Sequence, residues 1–250
     1  MKTTLHIACL RQITLLMLLA WLSVACNKPE PPPPPPEEIL SRAAARMKSL
    51  QGFHFLIDRS GAPAYLNAEQ TIAFAQAEGE FYAPDQATAT IRVILPGLVA
   101  EVSMVALGDE YWESGLLTSQ WEKLPPGAGF NPATLFDPQS GFQEILRQDL
   151  QDIRYEGLQE LPELPGQTYY ALSGRLEGER LFELSYGLMG PQSMDVNVWI
   201  APETFEVHRV LVAEPLQPGV SDPSGESSTR WQIDFWDFNQ VEAVSPPPGS

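Results

Sequence analysis

The chain has 250 residues, 44% hydrophobic and 19% charged, with a formal net charge of −17; that suffices for one domain of roughly 200 residues with a sizeable core. It holds no Lys/Arg-rich run, which excludes nucleic acid as a partner and a broad electrostatic hold on anionic lipid headgroups. Its 24 prolines exceed what a plain globular chain carries, with dense runs at 29–36 and 246–248.

Residues 1–25 have the form of a secretory signal: Lys2 and Arg11 in an acid-free leader, then an apolar stretch over 13–25. That stretch is well short of the ~20 residues a spanning helix needs. It ends in Leu22-Ser23-Val24-Ala25-Cys26, which resembles the bacterial lipobox, with Ser23 where Leu is usual. The resemblance implies cleavage after Ala25 and diacylation of Cys26 as the new N-terminus. Two acyl chains anchor stably where one binds only marginally. The other cysteine, Cys9, lies in the discarded leader, so the mature chain forms no internal disulfide. Residues 26–36 then make a tether: the six prolines at 31–36 favour polyproline II at about 3.1 Å per residue, roughly 30 Å of reach in all. These features place the protein at the cell membrane, lipid-anchored, facing the extracytoplasmic side.

The folded domain is expected over 37–244, with a polar Pro-rich tail at 245–250. A helix is predicted over 37–50, where Ile39, Ala43, Met47 and Leu50 form one stripe. Gly52 stops it. Strand signals follow: Phe53, Phe55 and Ile57 alternate with His54, Leu56 and Asp58, and further runs cover 70–81, 87–95, 98–107, 110–113 and 120–124, separated by tight turns. Helical signals interrupt this meander at 131–136 and 138–150, where Phe142, Ile145, Leu146 and Leu150 share a stripe and Asp137 can cap. Strands resume at 153–159 and 168–176, a short helix is predicted at 179–186, and strands at 194–200, 207–214 and 230–238 complete the set. So long a meander must curl or close to manage its edges. The expected fold is α+β: a strongly curved antiparallel sheet, a half-barrel, with helices on its concave face.

Signals for catalysis are poor. The chain has no G-x-S-x-G, P-loop, H-E-x-x-H or paired-cysteine motif, so neither an enzyme nor a cofactor or metal site is expected. His54 and His208 fit outward or satisfied strand positions, and Asp234 and Asp237 fit polar strand positions. The apolar pattern is more informative. Over 91–105 both strand faces carry large apolar residues: Ile91, Val93 and Leu95 on one, Ile94 on the other, then Leu98, Val102 and Met104 against Val99 and Val105. Two arrangements satisfy this: a sheet sandwiched between two apolar layers, or an apolar cavity between the curved sheet and its helices.

The order of elements is similar to that of the LppX/LprG lipoprotein family. The resemblance is carried by "ILSRAAARMKSLQGFHFLIDRSG", "AEGEFYAPDQATATIRV", "VALGDEYW", "SQWEKLPPG", "FNPATLFDPQSGFQEIL", "VNVWIAPETFEVHRVLV" (with Ala201 where Asp is common) and "IDFWDFNQVEAVSPP", spanning about 37–247. It implies a LolA/LolB-like half-barrel around an apolar cavity. It also implies a membrane-anchored lipoprotein that binds a lipid or glycolipid and carries or presents it in the cell envelope, with a transporter or acceptor protein as a further partner. The segment 131–150 is the candidate gate, and Phe136, Phe142, Ile145 and Leu146 are the candidates to line its mouth or the cavity; the same four residues would serve equally to pack a core. The competing function is a cell-envelope interaction or assembly module with a filled core.

Overall fold

The computed structural model describes residues 32–116, 118, 120–125, 130–216, 225 and 227–249. The leader, Cys26 and the first part of the tether lie outside the described residues. The first helix grows directly out of the proline run. Pro36 opens α1 (Pro36–Ser49), where a missing N–H leaves nothing unpaired. Glu37 and Glu38 stand in its first turn and Arg46 and Lys48 in its last, each sign at the helix end that favours it. Ile39, Leu40, Ala43, Ala44 and Met47 are buried along one stripe, as the sequence predicts.

The strands run β1 (Gly52–Ser60), β2 (Ala64–Tyr65), β3 (Ala73–Tyr82), β4 (Gln86–Leu95), β5 (Leu98–Leu107), β6 (Glu110–Ser114), β7 (Trp121–Lys123), β8 (Leu150–Leu161), β9 (Leu164–Leu176), β10 (Met194–Ile200), β11 (Val207–Pro215) and β12 (Ser228–Trp236). They form one curved, unclosed antiparallel sheet in the order β7-β6-β5-β4-β3-β1-β12-β11-β10-β9-β8, with β2 paired beside β3. The expected meander is thus two meanders. They meet where the first strand pairs with the last, from His54 opposite Trp236 to Ser60 opposite Arg230. The open edges are blunted. One is a strand of three residues, β7; the other, β8, carries three register shifts against β9.

One face of the sheet is predominantly apolar and carries the core. Phe53 and Phe55, Ala87 to Val93 at alternate positions, Val196 and Val198, Val210 and Val212, and Trp231, Ile233 and Phe235 all point to it. On this face lie α1, a 3-10 turn (Pro132–Phe136), α2 (Phe142–Asp149) and the short α3 (Glu179–Leu184). The middle helix starts four residues later than the stripe suggests. Asp137 does cap, but it caps the turn before the helix, accepting from Gln139 N (2.9 Å), Ser140 N (2.8 Å) and Ser140 Oγ (2.7 Å). Burial alone would raise the Asp137 pKa; those hydrogen bonds outweigh it and hold the carboxyl below its ordinary value.

Candidate functional site

Between the sheet and its covering segments lies an apolar cavity of about 570 Å³, within the ~300–1,000 Å³ range of small-molecule sites. Its floor is the inner face of β3, β4 and β5: Ala77, Ala89, Ile91, Val93, Val102 and Met104. Phe55, Phe74 and Trp231 form walls. The roof is Pro132 and Leu135 of the 3-10 turn, together with Tyr186, Leu188 and Met189 beyond α3. The floor is low because alanines occupy inner positions 77 and 89. Phe130 meets Tyr186 edge-on at 5.3 Å, so the roof's two pieces touch there through one aromatic contact.

The four residues expected at the mouth or in the cavity are elsewhere. Phe136, Phe142, Ile145 and Leu146 are all buried core residues, and none of them lines this cavity. Phe136 descends from the 3-10 turn into a cage of rings, 5.2 Å from Phe53, 4.7 Å from Phe55, 5.7 Å from Phe81 and 6.0 Å from Phe235. Phe142 and Leu146 pack toward α1 around a void of only about 20 Å³. The helical stripe seen in the sequence is a packing stripe. The segment does roof the cavity, but with Pro132 and Leu135, beside Phe130 just before it.

Two polar features mark the site, and neither stands out in the sequence. Glu214, buried on β11, accepts from Gly190 N (2.8 Å) and Gln192 Nε2 (2.9 Å) with one oxygen and from Trp231 Nε1 (2.9 Å) with the other. It therefore ties the roof segment after α3 to a wall residue of the cavity, through charge-assisted bonds. Glu113 on β6 is the one carboxyl among the described residues that line the cavity. Burial raises its pKa, and the neighbouring Glu122 raises it further.

The strand histidines do not converge. His54 lies 3.4 Å from Glu80 and is partly exposed. His208 packs against Tyr169 (4.9 Å) and Phe238 (5.1 Å), and burial lowers its pKa against the pull of Glu206. Asp234 is held by Arg209 in a two-point ion pair at 2.5 and 3.0 Å. Among the described residues no group of three or more His, Cys, Asp or Glu could hold a metal ion.

The apolar second face over 91–105 proves to be uncovered at the hairpin tip. Ile94 and Val99 are 49% and 59% exposed, and pairing sets Tyr65, Ala73, Ile94 and Val99 in one row across four strands; Leu98, opposite Leu95 on the inner face of the same tip, is 48% exposed. Tyr65 and Leu66, also exposed, line the cavity as well, so the apolar rim continues into the interior.

Among solved structures, the chain is similar to LprF from Mycobacterium bovis: TM-score 0.63 and 13% identity, covering 87% of this chain and 99% of that one. It is also similar to lipoprotein LppX from Mycobacterium tuberculosis, with TM-score 0.56, 14% identity, and 84% and 98% covered. A LolA-superfamily protein from Nitrosomonas europaea aligns over 83% of this chain and 94% of its own, with TM-score 0.27 and 11% identity. A search of curated proteins returned no match. At such identities the two higher likenesses carry the fold, and the sequence itself carries the rest: the model of the LppX_LprAFG lipoproteins matches residues 35–242, nearly the whole folded part, and the chain belongs to that family.

Proposed function

We propose that this protein is a membrane-anchored carrier that holds the acyl chains of a lipid or lipidated glycoconjugate in its cavity and carries or presents it in the cell envelope. The observation that carries the reading is the 570 Å³ apolar space, floored by alanine and valine and continuous with an exposed apolar rim. The mechanism is shielding. Each methylene kept from water contributes about 0.8 kcal/mol, with no bond made or broken. Chains enter at the rim of Tyr65, Leu66 and Leu98 or past the Phe130–Tyr186 contact, which moves to admit them.

The anchor is part of the proposal. Cys26, diacylated after cleavage behind Ala25, holds the protein to the extracytoplasmic side of the cell membrane, and the Pro-rich tether sets the distance. A transporter or acceptor protein completes the transfer. Purified from a native-like host, the protein should yield a stoichiometric lipid in organic extracts, read by mass spectrometry; repeated absence of such a lipid overturns the carrier reading. Cys26→Ser should release the protein from membranes, and undiminished membrane retention overturns the anchor.

A further inference from the structure

Glu113 has no local reason to be where it is. It faces the cavity from β6, directly opposite Met104 of the floor. On its other side β7 sets Glu122 directly across from it. Like charges at opposed positions destabilise a sheet. Among the described residues neither glutamate carries a hydrogen bond or ion pair to offset this. The cation of this hairpin, Lys123, is turned elsewhere: it is bonded to Glu110 and sits 5.1 Å over the Trp112 ring. An acidic edge strand that resists pairing accounts for the exposed Glu122. It does not account for a half-buried carboxyl on the wall of an apolar space.

We propose that Glu113, reinforced by Glu122, reads the polar end of the bound lipid: it accepts hydrogen bonds from an uncharged, hydroxyl-bearing headgroup and turns away a phosphate. This rests on the carrier reading above. An ionised carboxylate can only accept, and a hydroxyl of a glycerol or sugar donates to it in a strong, charge-assisted bond. A phosphate monoester brings like charge and acceptor oxygens to the same place, in surroundings of reduced dielectric. The apolar chains contribute equally for both lipids, so the discrimination resides at the carboxyl pair. The overall acidity of the protein acts in the same direction but is screened beyond about 8 Å at physiological salt; Glu113 acts at contact.

The test uses the full chain, delipidated, and two pyrene-labelled probes with identical acyl chains: a diacylglycerol and the corresponding phosphatidic acid. They differ only in hydroxyl against phosphate. Wild type should bind the diacylglycerol at least about tenfold more tightly, a like-charge contact being that unfavourable. Glu113→Gln should narrow the ratio to about twofold, chiefly by tightening phosphatidic acid, because the charge is gone while an acceptor remains. Glu122→Gln, at an exposed position, should narrow it by less, and it supplies the reading should the first variant not fold. Equal wild-type affinities, or a ratio that neither variant alters, overturn the inference while leaving the carrier reading intact. Binding of neither probe overturns both.

Discussion

One face of one sheet builds a solid half and a hollow half, and Phe55 stands at their boundary. On one side of it Phe136 drops into the ring formed by Phe53, Phe81 and Phe235, and the space is filled. On the other side the strands present Ala77, Ala89 and Val93 to an unfilled volume. Strand alternation is the same in both halves. The difference comes from what faces the strands: a phenylalanine from the 3-10 turn reaches the sheet in one half, and over the other half proline, leucine and methionine stay at roof height. Hollowness here is a property of low floor residues and a roof that does not descend.

The comparison can be broken at its solid end first. Phe136→Ala should lower the unfolding free energy by about 3–5 kcal/mol, the range for emptying a buried aromatic site, as read by urea denaturation. A loss below about 1 kcal/mol would mean that the ring cage is not what fills that half. Next in size is the brace between roof and wall. Glu214→Ala leaves the Gly190 amide and the Trp231 indole N–H without this acceptor, while the Gln192 side-chain amide keeps its 3.3 Å bond to Pro215 O. It should cost about 3 kcal/mol and speed amide exchange around Leu188 and Met189. Exchange unchanged there would show that the roof is held by packing alone.

A matched pair of substitutions sharpens the contrast within a single strand. Ala87 and Ala89 are both inner-face residues of β4, but only Ala89 lines the cavity. Ala87→Phe should overpack the solid half and lose about 1–3 kcal/mol. Ala89→Phe should leave the melting temperature nearly unchanged and reduce bound lipid at least about tenfold. Equal effects at the two positions would erase the distinction between the halves. The smallest effect is electrostatic. Because the pKa of Glu113 is raised in the fold, the folded state holds its proton more tightly than the unfolded one, so ionising it disfavours folding. Glu113→Gln should therefore stabilise the protein slightly at neutral pH, by less than about 1 kcal/mol given its partial exposure. The gain should vanish as pH falls below the ordinary carboxylate range. A gain that persists in acid would trace to packing instead.

Much of this architecture was legible in the residue pattern. The stripe of Ile39, Ala43 and Met47 marks α1, and the alternation at 194–200 coincides with β10 at both ends. Where both faces are wet the pattern fails. The β8–β9 hairpin begins its strands at Leu150 and Leu164, earlier than the alternation indicates, because exposed polar residues need not alternate. The two-residue β2 is too short to leave a period. The predicted helix at 138–150 lost its first turn to the Asp137 cap, which organises a tight turn just as readily as a helix. The cavity itself was legible only as an excess of apolar residues. An inner-face alanine reads the same whether another side chain or empty space stands over it. For that reason Ala77 and Ala89 carry no mark of the site in the sequence, whereas the stripe of Phe136, Phe142, Ile145 and Leu146 does draw the eye.

The seam between β1 and β12 bears on how the protein is made. The chain emerges N-terminus first, so the strand that will sit mid-sheet lacks one neighbour until residues 228–236 have followed it. Hairpins such as β4–β5 and β8–β9 can zip from local contacts, whereas the register that joins the two meanders must wait and must close a very long loop. In that interval the apolar face on both sides of the seam is uncovered and prone to association. With the proposed anchor at Cys26, the molecule would spend this interval beside an apolar phase.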